Sequence, residues 1–254
     1  MKKKYEPQLT QNSEPEEIAE TIVRLAANYR APYVAIIGFS EALLEGLSGD
    51  LNPTQVADIQ SIRTSGWQAL GNLNDILDVM LIMSGQIEYE KLSVDFSQLL
   101  RDVVRDVERT RPEGSQPLQT ELLQTPVYIE GDEARLRQAL LGLIANTMVS
   151  LPRTQVQLKV KVDDQHLEIT ICDGCAAANN DDLTYFFEAG WVSKMKNGRW
   201  RQMQWQSYLA HHFVVAHQGQ IWVEPIEAEG DTPAGTQIVM RLPIAKPEDS
   251  PQAD

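Results

Sequence analysis

The chain has 254 residues, 43% of them hydrophobic, enough to enclose one large domain or two modest ones. A formal charge of −14 would repel a nucleic-acid backbone or an anionic membrane surface, which leaves other proteins as the expected partners. No apolar run approaches the roughly 18 residues of a membrane helix, and the basic start MKKKYEPQLTQ has no apolar segment behind it to make a signal peptide, so a cytoplasmic location without membrane contact is expected.

Residues 1–15 are polar, contain Pro7 and Pro15 and show no period, and are expected to be a flexible leader. From Glu16 onward Ile18, Ile22, Leu25, Tyr29, Tyr33, Ile36, Ser40, Leu43 and Leu47 recur every three or four residues, the signature of one long amphipathic helix. Pro32 lies inside it, removing a backbone donor and predicting a kink just past Ala27. LSGDLN breaks the pattern. Asn52 then caps a second helix with Pro53 at its first position, and the stripe Val56, Ile59, Ile62, Gly66, Ala69, Leu73, Ile76, Met80 and Met83 runs to a stop at Gly85. Residues 16–88 therefore read as a helical hairpin. Two helices alone cannot enclose a core, whereas two copies form a dimeric four-helix bundle. The alternative is a monomer whose hairpin covers the rest of the chain.

Beyond Gln86 strands alternate with helices, and residues 89–246 read as a single α/β sandwich followed by a flexible tail, 247–254. QIEYEKLSV is a strand or connector. DFSQLLRDVVRDVERTR is an amphipathic helix with Leu99, Leu100, Val103, Val104 and Val107 inward, and PVYIEG is a short strand. Asp132 caps EARLRQALLGLIANTMVSL, which is apolar nearly all round and should be central. QVQLKVKV and HLEITIC alternate cleanly about the turn DDQ. SYLAHHFVVAHQG reads as a surface helix ended by its glycine, and QIWVEPI and GTQIVMRLPI close the sheet. Cys172 and Cys175 form a C-x-x-C in ICDGC, but a zinc site needs two further ligands; the pair reads as a strand end and the turn after it, with any oxidation incidental.

With these parts in this order, the chain from about Glu16 to Ile244 resembles the transmitter region of bacterial sensor histidine kinases. YRAPYVAIIGFSEALLEG is similar to the H box of that family, ARLRQALLGLIANTMVSLP to its N box, and ITICDGCAAANNDDL stands in the place of its first glycine box. LAHHFVVAHQGQIWVEP and GTQIVMRLP are similar to the end of the second glycine box and the closing strands. The resemblance implies a dimerisation and phosphotransfer hairpin followed by an ATPase-like α/β sandwich.

The departures define the expected function. At the position of the phospho-accepting histidine stands Ala27, followed by Asn28 in place of an acidic neighbour; a methyl group cannot accept phosphate. The four histidines, His166, His211, His212 and His217, all lie in the second half of the chain. Tyr29 and Tyr33 are assigned to the packed stripe. In the first glycine box Cys175 and Ala177 replace glycines, leaving Asp173, whose counterpart reads the adenine amino group. The second glycine box reads QMQWQS, with no glycine and with Trp205 inside it. Glycines let backbone amides approach phosphate, so their loss should obstruct a triphosphate. Asn146 stands at the magnesium-binding asparagine, but Gly142 replaces the earlier asparagine and Val149 the following lysine. Vestigial cofactor contact is thus confined to Asn146 and Asp173, no metal site is expected, and His211, His212 and His217 are assigned to solvation or packing.

SKMKNGRWRQMQW gathers Arg199, Trp200, Arg201 and Trp205, a hot-spot composition for a protein partner; alternatively a tryptophan folds back into the emptied cleft. The expectation is a catalytically inactive histidine-kinase-like dimer without cofactor, binding a response regulator, an active kinase or another signalling protein. Its alternative is a nucleotide sensor that works without phosphotransfer through Asp173 and Asn146. No sensory or receiver-like segment is expected, and pairing with a related kinase is as open as self-pairing.

Overall fold

In the computed structural model the described residues are 15–111, 114–150, 155–173, 186–188, 205–226 and 235–245. The chain divides into two compact units, Met1–Ile87 and Glu88–Asp254.

The first unit consists of α1 (Pro15–Leu44) and α2 (Pro53–Met83). The α1 helix continues through Pro32 and ends where Gly46 takes φ +78° and the Leu47 amide reaches back to Ala42 O. Asn52 and Gln55 close a reciprocal capping box at the start of α2: the Gln55 amide donates to Asn52 Oδ1 and the Asn52 amide to Gln55 Oε1, each at 3.0 Å. The two helices run antiparallel, as the pairings of Arg30 with Asn74 and of Ile37 with Gly66 require. Ile37, Leu70, Leu77 and Val79 are buried, yet much of the apolar surface is not: Phe39 is 73% exposed and Trp67 54%. Leu25, Tyr29, Ile36, Ile62, Ile76 and Met80 of the stripes are also exposed in the single chain.

The second unit opens with β1 (Leu92–Asp95), antiparallel to β3 (Tyr128–Gly131). Between them α3 (Phe96–Arg109) starts at Asp95, whose carboxylate accepts the Gln98 amide, and buries Phe96, Leu99, Leu100, Val103 and Val107. Val104 is only half-buried. A five-stranded sheet has the order β2 (Gln119–Glu121), β4 (Val156–Val162), β5 (His166–Asp173), β7 (Gly235–Pro243), β6 (Gln220–Ile226), with β2 parallel to β4 and the other pairs antiparallel. The strand β2 went unrecognised in the sequence because its three residues, QTE, are all exposed and carry no alternation. Between β4 and β5 the Asp163 carboxylate accepts the Gln165 and His166 amides, each at 2.8 Å, and these bonds hold it below the usual carboxylate range.

Two helices complete the core: α4 (Glu133–Ser150) and α5 (Trp205–Ala216), which pack on each other, with α5 also against β6 and β7. Leu136, Leu140, Leu143, Ile144 and Met148 of α4 and Leu209, Phe213 and Val214 of α5 are buried with Leu158, Leu167, Ile169 and Leu242 of the sheet. The α5 helix is therefore part of the core, not the surface helix that its sequence had suggested. Its ending differs too. The left-handed residue is Gln218, at φ 58°, and the Gly219 amide closes the turn on Val214 O. Gly219 is needed for another reason: a Cβ there would lie 2.6 Å from Arg241 O on β7.

These assignments separate in thermal unfolding. Gln218→Gly relieves the left-handed strain and should stabilise the second unit by about 0.5–1 kcal/mol, whereas Gly219→Ala meets Arg241 O and should cost about 1–3 kcal/mol.

Candidate functional site

The resemblance places functional positions in both units. In the first, Ala27 lies on the backbone of α1 and its side chain is outside the described residues. Asn28 and Tyr29 are exposed and Tyr33 is half-buried. Arg30 reaches across to α2, where its Nη2 donates to Asn74 Oδ1 at 2.9 Å.

In the second unit the relevant corner lies between α4 and the first turn of α5. Asn146 sits on α4, half-buried, and its Nδ2 donates to Gln206 Oε1 at 3.3 Å. One turn earlier, Gly142 provides the room that makes this approach possible. A Cβ built on Gly142 would stand 2.8 Å from both Cβ and Cγ of Gln206. The Gln206 side chain of the QMQWQS segment thus occupies the room that Gly142 leaves on α4. Sequence reading treated the two positions separately. The signal lay in Gly142 itself, an isolated glycine inside a strongly apolar helix, where it costs helix stability unless close packing requires it.

Asp173 ends β5, half-buried, and its Oδ1 accepts the Thr236 amide of β7 at 3.0 Å. It stitches the two strand ends at the register pair Asp173 with Thr236. Cys172 beside it is a free thiol, half-buried, with Sγ 3.7 Å from Gln237 Oε1; burial pushes its pKa up and keeps it protonated. Cys175 and Ala177 lie outside the described residues, as do Arg199, Trp200 and Arg201. Trp205 is described, as the half-buried first residue of α5.

The histidines are held in ring contacts. His212 packs against Tyr208 with centroids 4.3 Å apart and the ring planes tilted by 49°, and His211 lies 5.6 Å from the Phe187 ring. Burial lowers the pKa of both imidazoles, and the neighbouring His211 lowers that of His212 further. His217 is buried at the end of α5 and is hydrogen-bonded through both ring nitrogens. Among the described residues no helix is long and apolar enough to cross a membrane.

Residues 131–246 match the family described as histidine kinase-, DNA gyrase B- and HSP90-like ATPase. The sensor histidine kinase GacS of Pseudomonas protegens is 26% identical over 225 residues, which are 84% of this chain and 24% of that protein. In fold the chain is similar to full-length ShkA, solved in complex with AMPPNP, at TM-score 0.66 and 23% identity over 89% of this chain and 46% of the other. It is also similar to histidine kinase ThkA, solved in complex with the response regulator TrrA, at TM-score 0.53 and 16% identity over 92% of this chain and 64% of the other. In each case the chain spans less than two thirds of its relative. The matched residues lie in the second unit, whose helices over a mixed sheet are consistent with a histidine-kinase-like ATPase α/β sandwich.

The Gly142 and Gln206 contact is open to a double-mutant cycle followed by urea unfolding. Gly142→Ala should destabilise by about 1–3 kcal/mol through overlap with Gln206, offset by at most about 1 kcal/mol of helix propensity. Combined with Gln206→Gly the overlap disappears, and the coupling between the two sites should be about 1 kcal/mol or more.

Proposed function

We propose that this chain is a catalytically inactive, histidine-kinase-like regulatory module of two-component-type signalling that acts by associating with other proteins. The observation that carries the reading is the side chain of Gln206, which fills the space above Gly142 and engages the Asn146 amide. A cleft that receives a magnesium triphosphate must present compact backbone and charge-matching ligands there. Here two neutral amides meet instead. Ala27 supports the same reading from the first unit, because its methyl group has no nucleophilic atom to take a phosphoryl group.

The first unit suggests how association occurs. Two antiparallel helices leave Phe39, Trp67, Ile62 and Met83 exposed, and burying such residues against an equivalent pair stabilises by about 1.5–3 kcal/mol for each large side chain. A second copy is the occupant proposed here, forming a four-helix bundle. A response regulator, as in the ThkA complex, is the kind of further partner such a bundle would receive.

One observation favours a second reading. Residues 131–246 retain the ATPase family's pattern well enough to match it, and Asp173 stands at the end of β5, accepting the Thr236 amide. A nucleotide sensor without phosphotransfer would use Asp173 and Asn146.

Thermal unfolding with millimolar magnesium-ATP, magnesium-ADP or magnesium alone separates the two. A native-state ligand at a hundred times its Kd adds about 2.7 kcal/mol, a shift of several degrees. The inactive module should show no shift, and no incorporation of phosphate from labelled ATP; a nucleotide-specific shift lost in Asp173→Ala would establish the sensor, and labelled protein would overturn both. For the bundle, sedimentation equilibrium should give twice the mass of one chain. Phe39→Glu combined with Trp67→Glu should weaken self-association at least about tenfold.

A further inference from the structure

The segment that follows the first unit is fastened to the second by a network centred on His217. Tyr89 sets its ring edge-on to Phe213, with centroids 6.3 Å apart, and to His217, 5.9 Å apart. The Glu90 amide donates to Asp132 Oδ2 at 3.1 Å, and Lys91 Nζ donates to Ala216 O at 2.8 Å. The other Asp132 oxygen accepts the Arg135 amide at 3.1 Å and so caps α4. The backbone amide of Asp132 donates to His217 Nε2 at 2.7 Å, and His217 Nδ1 lies 2.5 Å from Phe213 O.

These two contacts fix the tautomer. Phe213 O can only accept, so Nδ1 carries the proton, and Nε2 must be bare to receive the Asp132 amide. The ring is 3% exposed, and Gly131 packs so closely on it that a Cβ would lie 2.8 Å from His217 Cδ2. A second proton has only Nε2 to occupy, where it would point at the Asp132 N–H. Protonation and the clasp therefore exclude each other.

We propose that His217 is a proton-operated clasp: a proton taken up at Nε2 breaks the bond to the Asp132 amide, loosens the Asp132 turn and frees residues 89–91, while the five-stranded sheet stays folded. Clasped, those residues are part of the second unit; released, they no longer are.

The charged surroundings set the direction. The Asp132 carboxylate, from the turn between β3 and α4, favours the imidazolium, and Lys91, from the connecting segment, opposes it. Tyr89 and Phe213 are uncharged, Arg135 stands over the Phe213 ring at 5.4 Å, and Glu130 lines with His217 a surface cavity of about 640 Å³ through which a proton arrives. Burial outweighs the donation to Phe213 O and the attraction of Asp132, and holds the imidazole below its ordinary pKa. Released, the ring regains an ordinary value of about 6.5, so the open form binds more protons. The clasp is complete above that pH, and opening grows up to about tenfold for each unit below it until the clasped ring itself titrates.

Amide hydrogen exchange on the full chain between pH 7.5 and 5.0, corrected for intrinsic rates, reads this directly. Protection at Glu90 and Asp132 should fall up to about fivefold between pH 6.5 and 5.5, while amides of β4 and β5 keep theirs. His217→Gln keeps one acceptor and one donor without a titrating group, and should flatten the pH dependence. If that variant does not fold, the wild-type contrast between connecting segment and sheet decides alone. Protection that is constant with pH, that is lost together with the sheet, or that still titrates in folded His217→Gln would overturn the clasp.

Discussion

The seating of α5 is the constraint on which the second unit depends. It rests on three places where only a missing side chain lets the backbones close: Gly142 beneath Gln206, Gly131 against the His217 ring, and Gly219 against Arg241 O. The three contacts lie at the start of α5, just past its end, and at the turn into β6. Together they hold the helix against α4, the β3 edge and β7 with little freedom to shift, because close-packed surfaces of this kind have no soft direction. The Gln206 contact with Gly142 and the corner that fastens the connecting segment therefore lie at opposite ends of the same helix.

Asp132 shows how much a single buried carboxylate can organise. One oxygen caps α4, the other holds the Glu90 amide, and the backbone amide of the same residue is held by His217. Every polar atom named in this network has a partner, as burial demands. The cost of that economy is exposure to the state of one neighbour: were the imidazole nitrogen to change from acceptor to donor, the Asp132 amide would lose its partner.

The two units solve the problem of burial differently. The second closes its core internally, with Phe96, Phe213 and the leucines of α4 almost fully enclosed. The first cannot, since two helices have only one mutual face, and Phe39 and Trp67 remain outside it. That asymmetry separates a unit that encloses its own core, where the match to the histidine kinase-, DNA gyrase B- and HSP90-like ATPase family lies, from a helical pair that leaves large apolar side chains exposed in the single chain.

What the sequence determined by itself is everything set by neighbours within a few residues. The Asn52 cap with Pro53 behind it, the inward face of α3, the Asp132 cap and the β4–β5 alternation about an aspartate turn are local rules of period and hydrogen bonding. The positions Ala27, Asn146 and Asp173 were legible as departures from or remnants of a motif, but not what their surroundings had become. Only the tertiary structure decided that Gln206 fills the place above Gly142, 64 residues away in the chain, that β2 pairs at the sheet edge without a pattern of its own, that Gln218 rather than Gly219 takes the left-handed turn, and that His217 is an acceptor for Asp132. Each of these depends on which backbones approach within van der Waals distance across the fold, and no periodicity along a single strand or helix encodes that approach.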